Sequence, residues 1–471
     1  MIHSYRRGGT ALFFIVLAAA CGPDSNPTSV EQSSIGVHSS GERGRNEQAT
    51  SASQAVLSAN AQIVRSAPSL VPPGAPLAPF VESRLYAIAN VAVHDALNSI
   101  DPRFARYADE GPIERDASAA AAALTAAHDA ILGAAPGAAA STNAWYAVSM
   151  APLGDGDDVA RGVAIGQRSA AAILARRAGD HTDGGGVAPY TPGSNAGDYR
   201  FTFPFNTPGF DFFGTGGFAD ASQWGATVAP FVIQSASDFR VPKPYGASSN
   251  AAAVLTPRYT QDFNEVKALG CAGCAARSAT QTEIALFWKE NSPTGWNTLA
   301  TSVIANRKLD AWQSARLFAL LEMAEFDGYA ASLESKYYYN FWRPVSAVAL
   351  ADADGNPETS SQAEWEVLAF PTPPVPDYPS AHSTAGGAGA AVIEAVVHGR
   401  TGTISMTSGS LRGVTRTFDS PSAAAAENAL SRIYIGYHFR HATEAGVLQG
   451  RAVGAYVAAH ALRPLDGGDE D

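Results

Sequence analysis

The chain has 471 residues, enough for one large domain or two with a sizeable core. Apolar residues make up 46% of it and charged residues only 16%, a globular composition poor in surface charge. A net charge of −12 argues against nucleic acid or an anionic lipid surface as the main partner, so an anion site must gather its positive charge locally.

Arg6 and Arg7 precede an apolar run over 11–20, and Ala18-Ala19-Ala20 precedes Cys21. The run is too short to span a bilayer and reads as an export signal over 1–21. Small residues just before Cys21 resemble a bacterial lipobox, which would leave a lipidated cysteine at the mature N-terminus. An ordinary cleaved signal is the alternative. The expectation is an exported protein, periplasmic or a membrane-anchored lipoprotein, touching the membrane only through that lipid. Residues 22–75, rich in Ser, Gly, Asn and Gln, read as a disordered tether.

Residues 76–265 form an N-terminal helical part. Leu85, Ile88, Ala92 and Ala96 recur at helical spacing over 81–98. His94 and Asp95 inside it read as a buried hydrogen-bonded pair, with catalysis the other option. Ala-rich helices follow over 117–132 and 159–178. Residues 181–262 then crowd Gly, Pro and aromatics together, as in Phe201-Thr202-Phe203-Pro204-Phe205 and Phe210-Asp211-Phe212-Phe213. This reads as a long excursion over the core, its aromatics either packed there or lining a channel.

Residues 266–465 read as a C-terminal helical bundle. Cys271 and Cys274 could be a redox pair, half a zinc site or a local disulfide. No second pair completes a zinc site, and in an exported chain a structural disulfide is expected. Thr280-x-x-Glu283 has the form of a capping box. Helical patterns cover 298–306, 310–325, 329–342, 383–397, 422–433 and 443–460. The fold class is therefore all-α, helices packed as bundles, and apolar Ala-rich helices permit a homodimer.

Three fragments carry candidate chemistry. In Lys336-Tyr337-Tyr338-Tyr339-Asn340-Phe341-Trp342-Arg343-Pro344, the two cations are seven residues apart, on one face of a helix that Pro344 would end at Arg343. Arg offers a planar fork and Lys a point charge, a pair suited to phosphate-like oxygens. In Pro376-Asp377-Tyr378-Pro379-Ser380-Ala381-His382-Ser383, a helix starts at an anion-binding N-terminus. Ser380 and the Ala381 N–H can donate there, and His382 sits where an acid–base group is needed. In Ser431-Arg432-Ile433-Tyr434-Ile435-Gly436-Tyr437-His438, Gly436 permits a break that lets Arg432 end one helix and His438 begin the next.

In this order the fragments resemble the signature of the vanadium haloperoxidase and type-2 phosphatidic acid phosphatase superfamily, and residues 93–98 and 263–267 resemble its bacterial secreted members. The resemblance implies a haloperoxidase-like helical fold, with vanadate as cofactor and hydrogen peroxide plus halide or a small organic molecule as partners. It implies that His438 is the covalent ligand of vanadium, or the phosphorylated residue in a phosphatase. Lys336, Arg343, Arg432, Ser380 and the Ala381 backbone would then bind the anion, and His382 would serve as acid–base. A soluble acid phosphatase using a phosphohistidine and a non-catalytic oxyanion-binding surface lipoprotein are the alternatives. Three positions depart from the pattern. Ala381 replaces the usual Gly, and Ala442 stands where many members place an Asp that orients the histidine. Val375 stands where haloperoxidases often carry an aromatic or His. His441 or Glu444 could substitute for the missing Asp only if the helix places them suitably.

Overall fold

The structure, a computed structural model, describes residues 40–73, 77–182, 190–206, 224–399 and 401–465. The signal segment, Cys21, much of the tether and Phe210-Asp211-Phe212-Phe213 lie outside them. The chain divides into residues 1–44 and 45–471, and the second unit carries the site.

The helices in chain order are α1 (Ser40–Ser66), α2 (Pro79–Asn98), α3 (Ala119–Ala134), α4 (Ala139–Met150) and α5 (Asp157–Arg176). Two one-turn helices follow, α6 (Trp224–Thr227) and α7 (Asn250–Ala253). Next come α8 (Pro257–Leu269), α9 (Ala279–Phe287), α10 (Ser292–Arg307), α11 (Ala311–Tyr339), α12 (Pro344–Leu350) and α13 (Ala381–Val396). A small antiparallel hairpin, β1 (Ile404–Thr407) with β2 (Thr415–Phe418), pairs Ile404 with Phe418. Finally come α14 (Pro421–Tyr434) and α15 (Arg440–His460). The all-α class holds, with the hairpin as its one sheet among the described residues.

α11 is the axis. Its residues from Ala315 to Lys336 are almost all fully buried, on every side. A helix without a solvent face needs neighbours all round, and α2, α13, α15, α10 and α6 supply them. Asp310 and Gln313 cap its start reciprocally, and Asn340 in the left-handed region ends it. The patterns over 310–325 and 329–342 are thus one helix. It stops at Tyr339, not at Arg343. Lys336 and Arg343 therefore do not share a helix face: Arg343 is the extended residue before α12, whose first residue is Pro344.

Two further expectations are corrected. The tether over 22–75 contains α1, because Ala52, Val56, Ala59 and Ile63 form a buried stripe at helical spacing. The cap of α9 is Ser278 with Gln281, two residues before the Thr280 pattern. The boundary expected at 265/266 falls inside α8, while α4, α8 and α12 and the hairpin had no clear pattern.

α13 and α15 pack closely against each other. A Cβ on Gly450 would overlap the Thr384 carbonyl oxygen, and one on Gly446 would press on that of Ser380. These two glycines let α15 lie directly on the first turns of α13. Described parts of the excursion hold the segment that leads to Arg343. Tyr199 N–H donates to Asn340 O at 2.7 Å and Trp342 N–H to Gly197 O at 2.8 Å, which clasps the segment leading to Arg343. Further along, buried Asp327 accepts the N–H groups of Phe231, Val232 and Ile233. Cys271 and Cys274 form the local disulfide, and His94 and Asp95 the buried pair, at 3.1 Å, with Asp95 also capping the loop at Tyr107, Ala108 and Asp109.

Candidate functional site

The three fragments converge. A cavity of about 300 Å³ is lined by Lys336, Arg343, Ala381, His382, Arg432 and His438 at its polar end. Phe80, Phe205, Leu333, Pro374 and Val375 supply apolar wall. Each polar side chain comes from a helix end or a break. Lys336 stands in the last turn of α11, Arg343 in the extended link to α12, and Ala381 and His382 in the first turn of α13. Arg432 closes α14, and Gly436, with φ of 87°, turns the chain so that His438 faces back.

The cations are buried and turned to neutral acceptors. Lys336 Nζ donates to the carbonyls of Pro376, at 2.5 Å, and Asp377, at 3.0 Å. Arg343 donates to the carbonyls of Val375 and Tyr437, at 2.7 and 2.9 Å. Arg432 donates to Ser431 Oγ and the Trp288 carbonyl, at 3.1 and 2.9 Å. None of these acceptors is a carboxylate. Burial pulls the Lys336 ammonium well below its usual range, with the Arg343 charge adding to it, and brings Arg432 down to about 10. Three buried cations whose hydrogen-bond acceptors are all neutral are costly unless an anion completes the set.

His438 is held in one tautomer. Arg343 Nη1 lies 3.0 Å from His438 Nε2, and an arginine can only donate, so Nε2 carries a lone pair. Nδ1 then bears the proton and points at Asp377 Oδ1, 2.9 Å away. Burial, then Arg343, Lys336 and Arg432, push the imidazole pKa well below its usual value and keep the ring neutral. Burial pushes the Asp377 carboxyl up to about 7, against the pull of Arg343 and Lys336. A neutral imidazole whose lone pair meets only Arg343 on one side, with a carboxyl on the other, is the arrangement of a ligand or nucleophile.

His382 lines the cavity with Nε2 unpartnered, while Nδ1 meets Ser292 Oγ at 3.0 Å. Burial and the Arg432 charge lower its pKa well below the usual value, more than the Trp288 carbonyl restores.

Residues 316–467 match the family model described as the VCPO second helical-bundle domain. Vanadium chloroperoxidase of Curvularia inaequalis is 28% identical over 284 residues, 47% of this chain. That match spans 45% of the relative's length, less than half of it. These matches support the vanadium haloperoxidase superfamily, through the C-terminal bundle that carries the site. The fold agrees through most of the chain's length. A bacterial vanadium-dependent iodoperoxidase structure superposes with a TM-score of 0.71 at 21% identity, covering 88% of this chain and 98% of that one. An apo-type bacterial vanadium-dependent chloroperoxidase superposes with a TM-score of 0.62 at 16% identity, covering 82% of this chain and 94% of that one.

Two placements differ from the sequence reading. Ser380 is not in the cavity wall. Its Oγ caps α13 by accepting from Ser383 N–H at 3.3 Å and from Ser383 Oγ at 3.0 Å. The partner of His438 is neither His441 nor Glu444. His441 stacks on Tyr378 and accepts from the Tyr245 N–H, and Glu444 pairs with Arg258. Asp377, three residues before Ser380, takes the place that Ala442 leaves empty. Its 61-residue separation from His438 hid the pairing, although it stands inside the second fragment. Ser292 was also missed, since a serine opening a helix reads first as a cap.

The residues fit a tetrahedral oxyanion such as vanadate. Three cations, the start of a 16-residue helix and one histidine lone pair meet at one end of the cavity.

Proposed function

We propose that this pocket holds vanadate and that the protein is a vanadium-dependent haloperoxidase, oxidising halide with hydrogen peroxide. One observation carries the reading: three buried cations, none bound to a carboxylate, surround the unprotonated Nε2 of His438, which Asp377 backs. Vanadate, when bound, supplies Lewis acidity that activates peroxide toward halide without a change in its own oxidation state. The protein does the rest. His438 Nε2 would ligate the metal, and the proton on Nδ1, held by Asp377, keeps that lone pair available. Lys336, Arg343, Arg432 and the Ala381 N–H would neutralise the oxygens, and do so better in a site walled from water. His382 would give a proton to the oxygen that leaves as water. The apolar wall of Phe80, Leu333 and Val375 leaves room beside the anion for a polarisable halide or a small organic acceptor.

The same geometry supports a second reading, a phosphatase in which His438 Nε2 attacks phosphorus. Asp377 favours it, because it restores the carboxyl partner that Ala442 withholds. Export, with Cys21 lipidated or the signal simply cleaved, belongs to the proposal as its cellular setting.

The test is purified protein loaded with vanadate, assayed for bromination of a phenol with hydrogen peroxide and, without vanadate, for hydrolysis of p-nitrophenyl phosphate. Bromination that needs both vanadate and peroxide is expected. Hydrolysis without bromination would replace the first reading by the second. Anion binding with no turnover in either assay would leave a binding protein.

A further inference from the structure

His382 poses a problem for any proton-donating role. Burial and the Arg432 charge disfavour the imidazolium and favour the neutral ring at rest. A neutral imidazole can still donate from Nε2 if it receives a proton at Nδ1 in the same event. Something must then stand behind Nδ1. Ser292 Oγ does, at 3.0 Å. Beyond it lies Tyr329, which lines the cavity, is 2% exposed and has no hydrogen bond of good geometry on its hydroxyl. Ser292 is the side chain near enough to act on that hydroxyl.

Tyr329 belongs to a stripe. Glu322, Glu325, Tyr329 and Lys336 fall at i, i+3, i+7 and i+14 on α11, within about 60° of one another. The stripe runs from the core to the oxyanion end of the cavity. Both carboxyl oxygens of Glu325, and one of Glu322, lack a partner among the described residues, although both residues are fully buried. α2 adds Glu82, which accepts from Tyr86 Oη at 2.8 Å, from Asn291 Nδ2 at 2.6 Å and from Thr294 Oγ1. α10 adds Asn297, which donates to Glu322 at 3.1 Å.

The titratable groups acting on Glu325 are Glu322 and Glu82, and Glu290 acts in turn on Glu82. No cation is among them. Burial first, then mutual repulsion, raises Glu325 well above the ordinary carboxyl range, and burial raises Glu322 and Glu82. Burial at this depth favours the neutral acid, most of all at Glu325, whose two oxygens meet no donor among the described residues.

We propose that Glu325, Glu322 and Glu82 form a buried proton store that serves His382 through Tyr329 and Ser292. The store rests on the peroxidase reading for its purpose. Halide oxidation consumes one proton: halide, hydrogen peroxide and a proton give hypohalous acid and water. The peroxide O–O bond breaks, a halogen–oxygen bond forms, the halide loses two electrons, and the departing oxygen takes the proton. His382 Nε2 gives that proton, Nδ1 takes one from Ser292, Ser292 takes one from Tyr329, and Tyr329 takes one from a carboxyl. The single negative charge left behind is best held at Glu322, which accepts from Asn297, or at Glu82, which accepts from Tyr86, Asn291 and Thr294. Water restores the proton when the cavity is open.

Two measurements decide the proposal. In the vanadate-free protein at pH 7, infrared difference spectra of wild type against Glu325→Gln should show loss of a protonated-carboxyl C=O band; no such loss would mean that Glu325 is ionised and would overturn the store. In the vanadate-loaded protein, Tyr329→Phe should make the fall in kcat from pH 5 to pH 8 about tenfold steeper than in wild type. High concentrations of imidazole buffer should restore it, with vanadate affinity unchanged. A fall that buffer does not relieve, or no change in slope, would show a packing role only. If wild type oxidises no halide, the peroxidase reading fails separately. The infrared result, with the same slope measured on phosphate-ester hydrolysis, still decides the store.

Discussion

His438 and Asp377 set the chemistry at the scale of single residues. Replacing His438 by Ala removes the lone pair and should abolish activity in whichever assay wild type passes; a variant that still turns over would defeat the site. Asp377→Asn keeps the shape but weakens the hold on Nδ1–H, and activity should fall about 10–100-fold, measured as kcat/KM. The same variant has a pH signature. The folded-state pKa of Asp377, about 7, is above the ordinary carboxyl value, so its contribution to stability is complete below about pH 4 and is lost as pH rises through 7. Asn does not titrate. The stability difference between variant and wild type should therefore move in the variant's favour from pH 4 to 8, by up to about 4 kcal/mol at about 1.4 kcal/mol per pH unit. Urea unfolding across that range checks it, and a constant difference would contradict it. Most side chains of the site were legible in the sequence, because Lys, Arg and His in short fragments are rare in a chain this poor in charge. Asp377 was not. A carboxyl flanked by prolines has no periodicity, and only folding brings it to a histidine 61 residues away.

Helix ends, more than helix bodies, make the site. Reading Lys336 and Arg343 as one helical face placed both at the pocket for the wrong reason, since Asn340 breaks the helix between them. Gly436 was readable because a left-handed turn there needs a residue without Cβ. The glycines of α15 were not, since their partners lie on α13. They carry a prediction of their own. Gly450→Ala should force α15 away from Thr384 and cost about 1–3 kcal/mol, read as a lower urea midpoint. Because the same contact seats the first turn of α13, vanadate affinity should fall as well. A variant of wild-type stability would show that the two helices have slack.

At the scale of the whole molecule, a buried central helix presents Glu322, Glu325, Asp327 and Lys336 inside the core, where three of the four are acids. The described parts of the excursion over 181–262 cover it, at Phe231 by hydrogen bonding to Asp327 and at Gly197 and Tyr199 by clasping the Arg343 segment. That role follows from tertiary contacts and leaves no periodic trace, whereas the all-α class was plain from the helical patterns alone. α1 escaped notice because the polar residues ahead of it masked the four apolar positions it buries. An anion that satisfies three buried cations should stabilise the entire unit. At about 100 times Kd, vanadate should add about 2.7 kcal/mol and raise Tm accordingly. The most direct measurement is calorimetric titration of orthovanadate into the wild-type protein and into Arg343→Ala and Arg432→Ala. One saturable site in wild type, weakened at least about tenfold by each substitution, is the predicted result. No binding, or binding that ignores both arginines, would contradict the pocket.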